Sequence, residues 1–153
     1  MKDNFPKMNF VGLDGILVQF SDEICESANS AALAFRHEVE QQNQSAIVES
    51  ANSLTAAYFR INTKLVSGNS ILNFFDEILR EKNWYTSTLP TNRKLFQIPC
   101  VFGTELAPQF EKVIELAGIG RSQAVLEFTT TRTRVMTIGF SPGQPYAGLL
   151  SEK

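Results

Sequence analysis

The sequence predicts an α+β protein whose first half is a small antiparallel sheet with helices on one side. Three observations predict it. Apolar alternations and helical periodicities follow one another in the order β-β-α-β-β-α between Met8 and Asn83, an order that pairs neighbouring strands and lays helices over them. The apolar fraction of 43% and the charged fraction of 20% are those of a globular chain with a core. At 153 residues there is room for one ordinary domain or two small ones.

Met8 to Phe20 reads as a hairpin turned at Asp14-Gly15, with Ile16, Val18 and Phe20 on one apolar face. Asp14 is better read as a turn residue satisfying local amides than as a catalytic acid. Ser21 is expected to cap a helix, with Asp22 and Glu23 in its positive first turn. Ile24, Ala28, Ala31, Ala32, Phe35 and Val39 recur at helical spacing. The alanines in the middle of that face let the helix lie close to a sheet. His37, the one histidine, is near the end of this helix. No Ser, Cys or carboxylate pattern makes it a general base, so it reads as a surface group favoured by the helix dipole.

Gln41 to Gln44 is a polar loop. Ala46–Glu49 and Leu54–Arg60 follow as strands turned at Asn52-Ser53. A second helix spans about Asn69 to Asn83, with Ile71, Phe74, Phe75, Ile78 and Leu79 inward. Its charged residues Asp76, Glu77, Arg80, Glu81 and Lys82 form the solvated face. From Trp84 to Lys94 the chain carries turn formers and no apolar period, which reads as a linker. The organisation expected is an N-terminal domain over 1–84, a linker over 85–94 and a second domain over 95–153.

In the second half, Leu95–Ile98 reads as a strand disturbed by Pro99. Leu106 to Gly118 is a third helix, with Pro108 in its first turn, Gly118 as its stop, and Phe110, Val113, Ile114 and Ala117 inward. Ser122 caps a short helix to about Phe128. Helix, glycine turn and helix resemble a DNA-binding motif, but Gln123–Phe128 holds no basic residue to meet phosphates. Arg132 and Arg134 would share one face of a strand, either receiving a carboxylate or phosphate or simply lying exposed. The apolar run Val135–Ile138 then enters Gly139-Phe140-Ser141-Pro142-Gly143-Gln144-Pro145-Tyr146-Ala147-Gly148. Two prolines remove backbone donors, so this stretch cannot continue as a central strand. Phe140 and Tyr146 add apolar faces, and the Tyr146 hydroxyl can orient a polar ligand. Such a stretch can wall a pocket or dock a partner.

The net charge of −2 offers no general attraction for nucleic acid or anionic membrane. No apolar run approaches the roughly 20 residues that cross a bilayer. Cys25 and Cys100 lie far apart without metal-type spacing and read as buried thiols of a reducing compartment. The start, Met1-Lys2-Asp3-Asn4-Phe5-Pro6, lacks the apolar core of an export signal, so the expected location is cytoplasmic. No Gly-rich phosphate loop with a Lys, no metal-ligand cluster and no nucleophile elbow occurs, and catalytic residues stay unassigned.

Ile98-Pro99, Phe102-Gly103, Leu106-Ala107-Pro108, Phe110-Glu111-Lys112-Val113 and Leu116-Ala117-Gly118-Ile119 stand in a distinctive order. With the Gly139–Tyr146 stretch, they resemble the allophanate hydrolase subunit 1 family. That family includes a subunit of bacterial 5-oxoprolinase and the kinase inhibitor KipI, and is similar to part of the carboxyltransferase region of urea carboxylase. Gly12–Phe20 and Ser53-Leu54 agree more loosely, so the resemblance covers nearly the whole chain. The chain departs from the pattern at Phe128, where a histidine is usual, at Thr133, where an aromatic is usual, and at Gln144, Ala147 and Leu149 in the turn.

The resemblance implies a small N-terminal domain followed by a cyclophilin-like β-barrel. It implies a subunit of an ATP-dependent 5-oxoprolinase or allophanate-hydrolase complex, opening an amide or lactam and inactive alone. The alternative it implies is a regulatory module that binds a histidine kinase. Substrate contacts fall on Phe140, Pro142, Gly143, Pro145, Tyr146 and Arg134. No cofactor or metal is expected on this chain alone, with ATP entering at the level of the complex. The partner is a second related subunit or another copy, with no nucleic acid and no membrane. About sixty residues follow the linker, too few for a closed barrel of roughly eight strands. The strand from Val135 to Phe140 is therefore expected to lack a neighbour on one side and to favour association.

Overall fold

A computed structural model describes residues 5–148. Strands β1 (Lys7–Val11) and β2 (Gly15–Gln19) precede helix α1 (Glu26–Gln41). Strands β3 (Ile47–Ser53) and β4 (Ala56–Ile61) precede helix α2 (Gly68–Arg80) and a 3₁₀ turn at Trp84–Thr86. The predicted β-β-α-β-β-α order is therefore present. The sheet is antiparallel throughout, in the order β1-β2-β4-β3. Helices α3 (Phe110–Ala117) and α4 (Arg121–Thr130) and strands β5 (Arg134–Ile138) and β6 (Pro145–Gly148) follow.

The chain divides into two compact units. One joins the residues up to Asn92 to Val135–Tyr146; the other comprises Arg93–Arg134 and the chain from Ala147. In the first unit, the strand period of two sets the core. Ile16 pairs with Phe59 and Val18 with Ala57, so these four share a face, and all four are fully buried. Phe59 meets Phe75 of α2 at 4.7 Å between ring centroids and Phe35 of α1 at 5.9 Å, which places both helices on that face. Ala28, Ala31 and Ala32 are fully buried and let α1 approach closely.

Several expected boundaries move, each for a physical reason. The first hairpin turns through Gly12-Leu13-Asp14, because Gly12 takes the left-handed φ of 65° and Gly15 pairs with Val11. Gly15 is buried under the Tyr58 ring: a Cβ there would come within 2.8 Å of Tyr58 Cε2 and 2.5 Å of the Val11 carbonyl oxygen. Ser21 does not cap α1. Its hydroxyl accepts the Glu23 N–H at 3.0 Å in a local turn, and the helix starts after Cys25. Ile24 is thus outside the helix and 58% exposed. The β3–β4 hairpin turns at Leu54-Thr55, two residues beyond the expected Asn52-Ser53.

Trp84 and Tyr85, at the head of the expected linker, pack onto the first core. Trp84 lies 5.3 Å from Phe35, and its Nε1–H donates to the Leu79 carbonyl. The Tyr85 hydroxyl donates to the Phe20 carbonyl at 2.7 Å. Cys25 is half-buried and Cys100 exposed, both as free thiols, so neither is the buried residue expected.

In the second unit, Leu95–Ile98 forms no strand, and Leu95, Phe96 and Ile98 are 69%, 74% and 77% exposed. Pro108 precedes α3 instead of opening it. Gly118 ends α3 as expected, at a φ of 63°, and Ile119 N–H reaches back to the Ile114 carbonyl. Phe110, Ile114 and Ala124 make a small core, whereas Val113 and Ala117 face solvent. Helix α4 begins at Arg121 with Gly120 at its cap, so Ser122 is not the cap residue. Arg121 holds this unit together: its guanidinium bonds Glu111 and the Gly103 carbonyl and lies 5.6 Å from the Phe110 ring centroid. Gly103 beside it takes the left-handed φ of 70°, which favours glycine.

Candidate functional site

The residues expected to contact substrate fall on the hairpin formed by β5 and β6. The strands pair only with each other, in a two-stranded sheet, so among the described residues β5 has a strand neighbour on one side and none on the other, as the sequence led us to expect. Pro145 opens β6 and costs no central-ladder bond in a two-stranded sheet. Between the strands, Phe140 takes a left-handed φ of 61° and Gly143 one of 77°. Gly139 N–H donates to the Gln144 carbonyl at 3.1 Å, and Gln144 N–H to the Ser141 carbonyl at 3.0 Å. Two backbone bonds, two prolines and two left-handed residues make this turn stiff.

Its side chains project outward. Phe140 is 99% exposed and Tyr146 44%. Pro142, Gly143 and Pro145 are exposed beside them. Arg134 is half-buried at the head of β5. Arg132 lies before that strand and is exposed, so the two arginines do not form the shared strand face expected of them. Phe128, standing where the resemblance expects a histidine, is on α4 with its ring 6.0 Å from Phe102. Leu149, another departure from the family turn, lies outside the described residues.

The base of the hairpin is anchored by contacts that sequence reasoning missed. Met136 is 5% exposed, and its carbonyl accepts the Leu54 N–H at 3.0 Å. Ser53 Oγ and Thr137 Oγ1 lie 3.2 Å apart. Leu54 itself has a φ of 52°, a conformation costly for a residue with a branched side chain. Its carbonyl is held at 2.5 Å by Nδ2 of Asn29, a buried residue of α1. The β3–β4 turn is therefore clamped from both sides, by α1 and by β5. Ser53-Leu54 stands out in the sequence only through the family resemblance, since leucine carries no local signal for a left-handed turn.

Chemically, the turn offers aromatic faces, one phenol and rigid backbone. Among its residues there is no nucleophile and base pair. His37 is half-buried on α1, and the backbone carbonyl of Asp14, in the first hairpin turn, accepts the N–H of Ile61 at the end of β4 at 2.8 Å. Among the described residues, no three His, Cys, Asp or Glu side chains gather as a metal site. Tyr85 has its pKa raised, first by burial and then by the neighbouring Cys25, but it packs in the core. A shallow cleft of about 400 Å³ lies beside the end of α1 and the start of β3, lined by Val39, Ile47, Val48, Glu40 and Glu49 among others. Its carboxylates are already engaged, Glu40 by Arg36 and Ser50 and Glu49 by Arg60. No helix among the described residues is long and apolar enough to cross a membrane.

Comparison with known proteins agrees with the resemblance read from the sequence. Residues 6–153 match the family model for the carboxyltransferase domain, subdomain C and D. A 5-oxoprolinase subunit of Bacillus subtilis (strain 168) is 24% identical over 152 residues, covering 94% of this chain and 62% of that protein. Two crystal structures of TTHA0988 share the fold, with TM-scores of 0.62 and 0.63 at 19% and 18% identity. They cover 90% and 91% of this chain, which spans 25% of theirs.

Proposed function

The chain belongs to the carboxyltransferase domain family, subdomain C and D, and on that footing we propose that it is a subunit of a hydrolase complex of the 5-oxoprolinase or allophanate hydrolase type. The complex opens an amide or lactam at the expense of ATP. This chain contributes recognition and is inactive alone. The observation that carries the reading is the stiff hairpin with Phe140 fully in solvent at its tip. A large ring held rigidly in water has no reason in the stability of the chain itself, and it suits contact with a substrate or a second subunit.

Phe140, Pro142, Gly143, Pro145 and Tyr146 form the recognition surface, and Arg134 offers a guanidinium to an anionic group. In the proposed domain organisation, 1–84 is the N-terminal domain, 85–94 the linker, and 95–153 the opening part of a cyclophilin-like barrel. Association is supported by Leu95, Phe96, Ile98, Leu106 and Leu116, each more than two-thirds exposed. Exposed apolar side chains in this number mark a surface that another chain covers. No ATP step is assigned to these residues.

Co-expression with a related second subunit, followed by an assay of ATP-dependent 5-oxoproline consumption, tests the proposal. We expect a stable complex whose activity falls at least about tenfold with Phe140→Ala or Tyr146→Ala, since each ring's contact contributes roughly 1.4 kcal/mol or more. Stability of the isolated chain should move by less than about 0.5 kcal/mol with Phe140→Ala, because the ring is exposed. Unchanged activity in both variants removes the hairpin from the site; failure of the subunits to associate removes the subunit reading. A histidine kinase recovered instead of a second subunit would favour the regulatory alternative.

A further inference from the structure

The two edges of the four-stranded sheet are treated differently. Edge strand β3 is protected against further pairing. Its register shifts between Ile47 and Glu49, as a bulge requires. It carries the charged Glu49, which pairs with Arg60 of the neighbouring β4 at 2.9 Å, and Arg36 of α1 bonds Ser50 and Asn52 over its helix-covered face. Bulges and charges of this kind are how proteins blunt sheet edges. Edge strand β1 has no bulge, and its one charge, Lys7, stands at its first residue. All five residues pair in regular register with β2, from Lys7 with Gln19 to Val11 with Gly15.

The apolar residues of β1 are set for more pairing than they have. Phe10 sits opposite the fully buried Ile16, and Met8 opposite Val18, so both project on the helix-covered face. Yet Phe10 is 54% exposed. Its ring rests against Gly68 at the start of α2, where a Cβ would approach Phe10 Cε1 to 2.6 Å, so a glycine there makes room for the ring.

We propose that β1 is the seam of a symmetric homodimer in which two copies pair antiparallel about Asn9. In that register the sequence of β1 complements itself. Met8 of each copy faces Phe10 of the other on the helix-covered side, and Asn9 faces Asn9. Lys7, the single charge of the strand, faces the apolar Val11 of the other copy. An in-register parallel pairing would set Lys7 beside Lys7, a destabilising like-charge contact. The two sheets then become one of eight strands with a two-fold axis at its centre, the self-complementary arrangement that a symmetric dimer needs.

The test is directional and register-specific. In the full chain, sedimentation should report a species of twice the 17.1 kDa chain mass. Phe10→Lys should raise the dimer dissociation constant roughly tenfold or more, because two symmetric Phe10–Met8 pairs are lost and two cations enter the seam. In a Cys25→Ser, Cys100→Ser background, Asn9→Cys should form an interchain disulfide when oxidised glutathione is added. Directly opposed strand residues have Cα atoms about 4.5–5.5 Å apart, within disulfide reach. Lys7→Cys alone should not crosslink, but should do so when mixed with Val11→Cys. Circular dichroism of each variant separates lost pairing from lost folding. A monomer at high protein concentration overturns the proposal. So does a dimer that ignores Phe10→Lys and leaves Asn9→Cys reduced. Neither result touches the hydrolase reading, which rests on the β5–β6 hairpin.

Discussion

Replacing Asn29 with aspartate should turn a neutral clamp into a pH-dependent fault. Asn29 is 1% exposed on α1. Its Nδ2 donates to the Leu54 carbonyl at 2.5 Å, while Oδ1 has no hydrogen-bond partner among the described residues. A carboxylate in this place sets two acceptors against each other in a site closed to water. A protonated carboxyl instead donates its O–H and restores the bond. Both burial and the facing carbonyl therefore raise the folded-state pKa of the introduced group above its unfolded value of about 3.9. The folded protein holds that proton more tightly, so stability is full below about pH 4 and is lost as pH rises through the raised value. Fully buried carboxyls shift by up to about 3–5 units at ~1.4 kcal/mol each. Only the roughly 3 units between the unfolded value and neutral pH count, which bounds the loss near about 4 kcal/mol. Asn29→Ala, by contrast, leaves the Leu54 carbonyl unpaired but also removes an unpaired buried oxygen, for a net cost near ~1 kcal/mol. Urea unfolding followed by Trp84, the one tryptophan, reads the first core directly. With a slope of about 2 kcal/mol per molar, Asn29→Asp should lower the midpoint by roughly 2 M at neutral pH and recover toward pH 4. An aspartate no worse than alanine, or a loss that persists in acid, would refute the clamp.

Three further outcomes are expected. Phe35→Ala empties the ring site touched by Phe20, Phe59, Phe75 and Trp84 and should cost about 3–5 kcal/mol in the same urea experiment. Gly15→Ala drives a methyl against the Val11 carbonyl and the Tyr58 ring; a loss of ~1–3 kcal/mol is expected, and adding Tyr58→Ala should recover only the part due to the ring. Tyr85 has a raised pKa because of burial and then Cys25, so its contribution is full below about pH 10 and falls as pH rises further. Tyr85→Phe should flatten that alkaline limb in a pH series of thermal melts, while losing about 1 kcal/mol at neutral pH with the bond to Phe20.

Local signals carry over into the fold wherever a regular period sets them. The apolar face of α2 appears as Ile71, Phe75 and Ile78 buried, because a period of 3.6 selects one side of any helix. The alternation Ile16, Val18, Phe20 lies wholly in the core for the same reason at a period of two. Expectation and structure part where a distant partner overrides a local signal. Ser21 looks like a cap, but its carbonyl is taken by Gln19 and Thr55 side chains and its hydroxyl by a local turn. Leu95–Ile98 has strand composition without a partner strand, and composition alone closes no hydrogen-bond ladder.

The candidate site divides along the same line. The glycines, prolines and aromatics of Gly139–Gly148 mark a rigid, recognisable turn from the sequence alone, because φ restriction is a property of each residue. The family, too, is carried by residue order. That Phe140 stands in solvent, that Met136 is buried against the β3–β4 turn, and that Asn29 holds Leu54 in a left-handed conformation were decided only by the tertiary structure. Asn29 and Leu54 are 25 positions apart. A contact of that separation exists only once the sheet and helix are assembled, so no local pattern in either segment announces it.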